Sequence, residues 1–201
     1  MELPLREIQF DIGEDGAGVF AVSAVSDPAI KKTYTFFNEQ KPIRFSVQNE
    51  EERIAFAPVL IPDQKIYRNI DGYEFNLVVR KDTIKKIAID FYKNNRANLV
   101  NLEHKEKAEG VPAVIDGVTM FQSLITDERT VASVNGYENL PIGTWFIGAY
   151  FSNDQVWQGI KDGTFTGWSI HAGFESRLVK MSSMTDEELK PLLQNFFKQL
   201  F

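Results

Sequence analysis

Short apolar runs of strand length, each closed by Gly, Pro, Asp or Asn, recur along most of the chain, whereas a helical period holds over only three stretches. That pattern restricts the fold more than any other feature, because a strand-length run buries its apolar side only by pairing with others like it. Candidate strands cover residues 8–12, 18–25, 43–47, 53–60, 75–79, 99–104, 118–126, 143–151 and 164–175. The first two flank Gly13-Glu14-Asp15-Gly16 and are set up for a hairpin. Ser26-Asp27-Pro28-Ala29 then breaks the run, since proline has no N–H for a ladder and biases its predecessor away from helix.

The spacing of Ile84, Ile87, Ala88, Phe91 and Tyr92 predicts an amphipathic helix over 83–95, with Asp82 as its cap. A shorter helix over 154–161 carries Val156, Trp157 and Ile160 and is closed by Asp162-Gly163. Near the end, Thr185-x-x-Glu188 forms a capping box, and Leu189, Leu192, Leu193, Phe196, Phe197, Leu200 and Phe201 make one apolar stripe. Eight or nine strands with few helices point to an α+β, mainly β fold: a closed or partly open β-barrel surrounded by a few helices, rather than a doubly wound parallel sheet. The expected organisation is a barrel domain over 1–181 and an amphipathic C-terminal helix over 182–201. That helix either packs back on the barrel or docks a partner, a second copy of the chain included.

Composition excludes several function classes. With 201 residues and 43% hydrophobic content the chain is long enough for a sizeable core. It has no cysteine, so neither a disulfide framework nor a thiolate metal site is available. A net charge of -6 and a pI near 5.1 lack the basic footprint of a nucleic-acid binder. No apolar run reaches about 18 residues, and Met1-Glu2-Leu3-Pro4-Leu5-Arg6 has no basic n-region leading into an apolar one. Neither a membrane span nor a signal peptide is expected, and the chain should be cytosolic or packed inside an assembly.

Candidate chemistry gathers in Gly167-Trp168-Ser169-Ile170-His171-Ala172-Gly173 and in Asn101-Leu102-Glu103-His104. As a strand, 164–175 puts Trp168, Ile170, Ala172 and Phe174 on a core face, and Gly167, Ser169, His171, Gly173 and Glu175 on the other. The glycines flanking Ser169 would let a substrate backbone approach closely. A serine becomes nucleophilic only with a base in hydrogen-bond reach, and the chain has two histidines to offer, His104 and His171. The alternatives are plain: a serine on a strand often simply faces water, and a histidine that continues the apolar face of Val100 and Leu102 is often a hydrogen-bonded core residue. Glu103, His104 and Glu106 would make a poor metal set, since neighbours on a strand point to opposite faces.

Taken in order, Ala21-Val22-Ser23-Ala24-Val25-Ser26-Asp27-Pro28-Ala29-Ile30, Pro58-Val59-Leu60-Ile61-Pro62-Asp63 before Ile66-Tyr67-Arg68, Asn101-Leu102-Glu103-His104, Gly143-Thr144-Trp145, and Val156-Trp157 with Gly167-Trp168-Ser169-Ile170 resemble the XkdF-type phage serine proteases. That family is similar to the tailed-phage prohead maturation proteases, which share a fold with the herpesvirus assemblins. The likeness runs from about residue 7 to 178. It implies a β-barrel wrapped by helices and a capsid maturation endopeptidase, with Ser169 as nucleophile and His104 as general base. It implies phage scaffold and major capsid proteins as substrates, host cytoplasm and the assembling prohead as location, and no metal or organic cofactor. The third member is a histidine in assemblins and commonly an acid in the prohead branch, which leaves His171 and Glu175 as candidates. The chain departs from the family pattern at Gln122 and at His171, so a protease-fold component of the phage head without turnover stands as the alternative.

Overall fold

A computed structural model of the protein describes residues 6–10, 18–28, 44–70, 73–108, 111–130, 134 and 136–173. Its strands are β1 (Arg6–Phe10), β2 (Gly18–Val25), β3 (Ser46–Asn49), β4 (Ile54–Leu60), β5 (Ile66–Ile70) and β6 (Tyr73–Val79), followed by β7 (Val100–Leu102), β8 (Glu106–Ala108), β9 (Val111–Pro112), β10 (Val118–Ile125), β11 (Trp145–Phe151) and β12 (Gly167–Gly173). Helices α1 (Lys81–Lys93) and α2 (Asp154–Lys161) complete the described elements.

The largest sheet runs β10-β11-β4-β3, antiparallel throughout. Its two inner strands are apolar almost end to end, as strands covered on both faces must be. A second sheet, β12-β2-β7, has β2 at its centre, antiparallel to β12 and parallel to β7. Buried Val19, Ala21, Val22, Ala24 and Val25 show why the β2 sequence does not alternate: it too is covered on both sides. β1-β6-β5 form a third sheet and β8-β9 a small fourth one.

Between the first two sheets lies the main core, built on Trp145, Trp168, Phe151, Ile147 and the inner face of α1 with Ile84, Ile87 and Phe91. Trp168 joins the sheets directly. Its ring stacks at 6.0 Å from Phe151 and meets the edge of Phe45 at 4.8 Å, and its Nε1–H donates to Ile147 O at 3.2 Å. A smaller cluster beyond the first sheet holds Phe56 stacked on Phe146, with Ile61, Val134, Tyr137 and Leu140 around them.

The mainly β, α+β architecture expected from the sequence is present, with both predicted internal helices. Among the described residues the sheets are not closed into a barrel. β7 explains part of this: it is three residues long, and the outward carbonyl of Val100 accepts from Ile115 N–H at 2.8 Å, so a loop takes the edge a further strand would need. No hairpin joins the first two strands, because β1 pairs in parallel with β6 while β2 lies between β12 and β7. Asp82 sits in the first turn of α1 rather than capping it; Arg80 occupies the cap position without a side-chain bond. β5 lies in a stretch where no strand was expected. The C-terminal helix expected over 182–201 lies outside the described residues, and none of the described helices is long and apolar enough to cross a membrane.

Candidate active site

Three neighbouring strands bring the candidate chemistry together. In the β12-β2 register Ser169 stands opposite Ser23, and in the β2-β7 register Ser23 stands opposite Asn101. One row across the sheet therefore reads Ser169, Ser23, Asn101. Ser23 and Asn101 are fully buried, whereas Ser169 is only partly covered.

His104 reaches this row by an irregular route. The strand expected to continue through His104 stops at Leu102, and both Glu103 and His104 adopt left-handed backbone, with φ of 51° and 54°. Two consecutive non-glycine residues there are strained, and such strain persists only where the surroundings enforce it. Here the turn is tied at several points: Glu103 N–H donates to Ala24 O at 3.1 Å, Lys105 N–H to Leu102 O at 3.0 Å, and Ser26 N–H to the Glu103 carboxylate at 2.7 Å. The turn carries the imidazole back over β2 and β12. His104 Nε2 then lies 2.9 Å from Ser169 Oγ, and Nδ1 lies 3.0 Å from Ser23 Oγ.

Beyond Ser23 the network continues inward. Ser23 Oγ–H donates to Asn101 Oδ1 in a short contact, and Asn101 Nδ2–H donates to Lys105 O at 3.1 Å. The same carbonyl accepts from Ala113 N–H at 2.8 Å, which fixes it in place.

The other expected site residues fall as follows. His171 lies in β12, its Cα opposite Ala21, and Glu175 lies outside the described residues. Gln122 belongs to β10 in the other sheet, where its side chain covers Gly148 of β11. Gly167 serves its own chain, since a Cβ there would stand 3.0 Å from Pro28 Cγ. Glu103, weighed as a metal ligand, holds Ser26, and among the described residues no group of three or more His, Cys, Asp or Glu is placed to bind a metal ion.

Ser23 and Asn101 were not anticipated as site residues. Their signal was present: each is a polar residue inside an apolar run, Ser23 within Ala21–Val25 and Asn101 between Val100 and Leu102. A buried polar side chain needs a partner, so such interruptions mark a hydrogen-bonded network.

A partly exposed serine hydroxyl in contact with an imidazole, itself held from behind, is the arrangement of a hydrolase nucleophile and its base. The family described as "Putative phage serine protease XkdF" matches residues 42–177, and the chain belongs to that family. The match begins after β2 and so leaves Ser23 outside it. No curated protein and no solved structure matches the chain.

Proposed function

We propose that the protein is a serine endopeptidase of phage head assembly that cleaves scaffold or major capsid proteins during prohead maturation. The observation that carries this is the 2.9 Å approach of His104 Nε2 to Ser169 Oγ across 65 residues of sequence, in a chain of a phage serine protease family. His104 accepts the hydroxyl proton as Ser169 Oγ attacks the scissile carbonyl. It then returns that proton to the departing amine, leaving an acyl-enzyme for water to hydrolyse. The prohead interior is the proposed place of action, and the apolar stripe over 182–201 is the proposed contact for self-association.

Co-expression with the scaffold and major capsid proteins of the same phage tests this. Wild-type chain should trim at least one of them and the Ser169→Ala chain neither. A fluorophosphonate reporter, which phosphonylates activated serines, should label wild type at Ser169. Trimming at the wild-type rate by Ser169→Ala would overturn the assignment. Absence of both trimming and labelling would favour a head component without turnover, the reading suggested by the departures at Gln122 and His171.

A further inference from the structure

We infer that Ser23 and Asn101 form an uncharged relay that sets the tautomer of His104, Ser23 being the positioning residue behind the base and Asn101 the residue that orients Ser23. This deepens the protease reading and rests on it for its functional meaning, but its hydrogen-bond logic stands on the network alone.

The direction of every bond follows from its innermost end. Lys105 O is a carbonyl and accepts only, so the Asn101 atom facing it at 3.1 Å must be the amide nitrogen. Asn101 therefore turns its oxygen towards Ser23, and that oxygen also only accepts. Ser23 has a single hydroxyl hydrogen, which goes to Asn101. What its oxygen offers His104 Nδ1 is then a lone pair, so Nδ1 carries the imidazole proton. That leaves Nε2 of the neutral ring as an acceptor, aimed at Ser169 Oγ 2.9 Å away. The base is thus held in the one tautomer that can take the serine proton.

Burial separates the roles of the two serines. Ser23 is fully inaccessible in the middle strand of its sheet, so no substrate carbonyl reaches it, while Ser169 stands at the partly open end of the row. The relay also differs in kind from a carboxylate behind the base. Serine and asparagine orient the imidazole by hydrogen bonding but supply no negative charge to the imidazolium that forms during attack.

The test reads the resting protein first. In chain labelled with 15N-histidine, whose two imidazoles are told apart by the loss of one in His104→Ala, the His104 signals should show the proton on Nδ1 at pH above the ring's titration. In Ser23→Ala the proton should redistribute between the two nitrogens. Cleavage by Ser23→Ala should show kcat lower by about 10- to 100-fold with KM little changed, a smaller loss than removal of the base itself. Asn101→Asp, which places a carboxylate in the relay, should move the acid limb of the pH–rate profile and the NMR titration of His104 to higher pH. A proton on Nε2 in wild type overturns the relay and needs no variant to fold. So does a tautomer unchanged in Ser23→Ala, or a His104 titration unmoved in Asn101→Asp. Because the tautomer is read without substrate, a protein with the expected spectra that cleaves nothing keeps the relay and discards the protease reading.

Discussion

At the scale of single residues the candidate site depends on two side chains that meet through one hydrogen bond. Ser169→Ala and His104→Ala should each abolish cleavage, and the double variant should lose little beyond either, because members of one catalytic unit are strongly non-additive. Rates for purified variants on one common substrate decide this; losses that multiply would make His104 structural. Acidification should also slow wild type, since a protonated His104 cannot accept from Ser169, and the pH profile of kcat/KM should show that limb. That Ser169 and His104 meet was legible in the sequence: the chain has only two histidines, the serine lies in a strand with polar and apolar positions alternating, and the family resemblance chose His104 over His171. Ser23 was not legible as part of the site: a serine among valines and alanines states that something polar is buried, but only the register of β2 with β12 and β7 says what it meets.

Elements were legible in proportion to how local their causes are. α2 falls at Asp154–Lys161 as its sequence predicts, with Asn153 Oδ1 accepting from Val156 N–H as the cap. β2 also matches its expected bounds, Gly18 to Val25. The turn at Glu103 and His104 escaped because two successive non-glycine residues seldom take left-handed backbone, and bonds that enforce it come from β2 and Ser26, distant in sequence. Another turn permits a prediction about pH. After β10, Arg129 donates to the Asp127 carboxylate at 2.9 Å, as does Thr130 Oγ1, and both backbone N–H groups of Arg129 and Thr130 point to it as well. These contacts, the Arg129 side chain foremost, lower the carboxyl from its ordinary 3.8 to about 2. A carboxyl depressed on folding adds stability that is complete above its unfolded value and is lost as pH falls through the folded one. The gap in Tm between wild type and Asp127→Asn should accordingly be widest at neutral pH and close as pH is brought from about 4 towards 2. A gap that ignores pH would show that the charge does not hold this turn.

For the molecule as a whole, Trp168 is where core and site share a residue boundary. Its ring fills the space between two sheets, its Nε1–H is spent on Ile147 O, and the next residue is Ser169. Trp168→Phe keeps an aromatic ring but leaves a gap between the sheets and removes the bond to Ile147 O, at a cost of about 1–3 kcal/mol. For a chain of this size that lowers Tm by roughly 2–4 °C per kcal/mol, measurable by calorimetry. If Tm is unchanged, the ring is not what joins the sheets. The arrangement of strands into four sheets was the least legible property of the fold, because it rests on pairings such as β1 with β6 that no local pattern encodes.

The chain order of the site has a consequence for timing during synthesis. Ser23 emerges from the ribosome early, Asn101 and His104 midway, and Ser169 only on β12, the last of the described strands. A nascent polypeptide ending at α2 already holds His104 and the side chains behind it, yet lacks Ser169. If Ser169 is the nucleophile, cleaving power arrives as β12 is made and zips onto β2, by which point the described core between the sheets has all its residues. Ordered in this way, a chain interrupted anywhere before β12 lacks the exposed serine of the row and, on the protease reading, cannot cleave its neighbours.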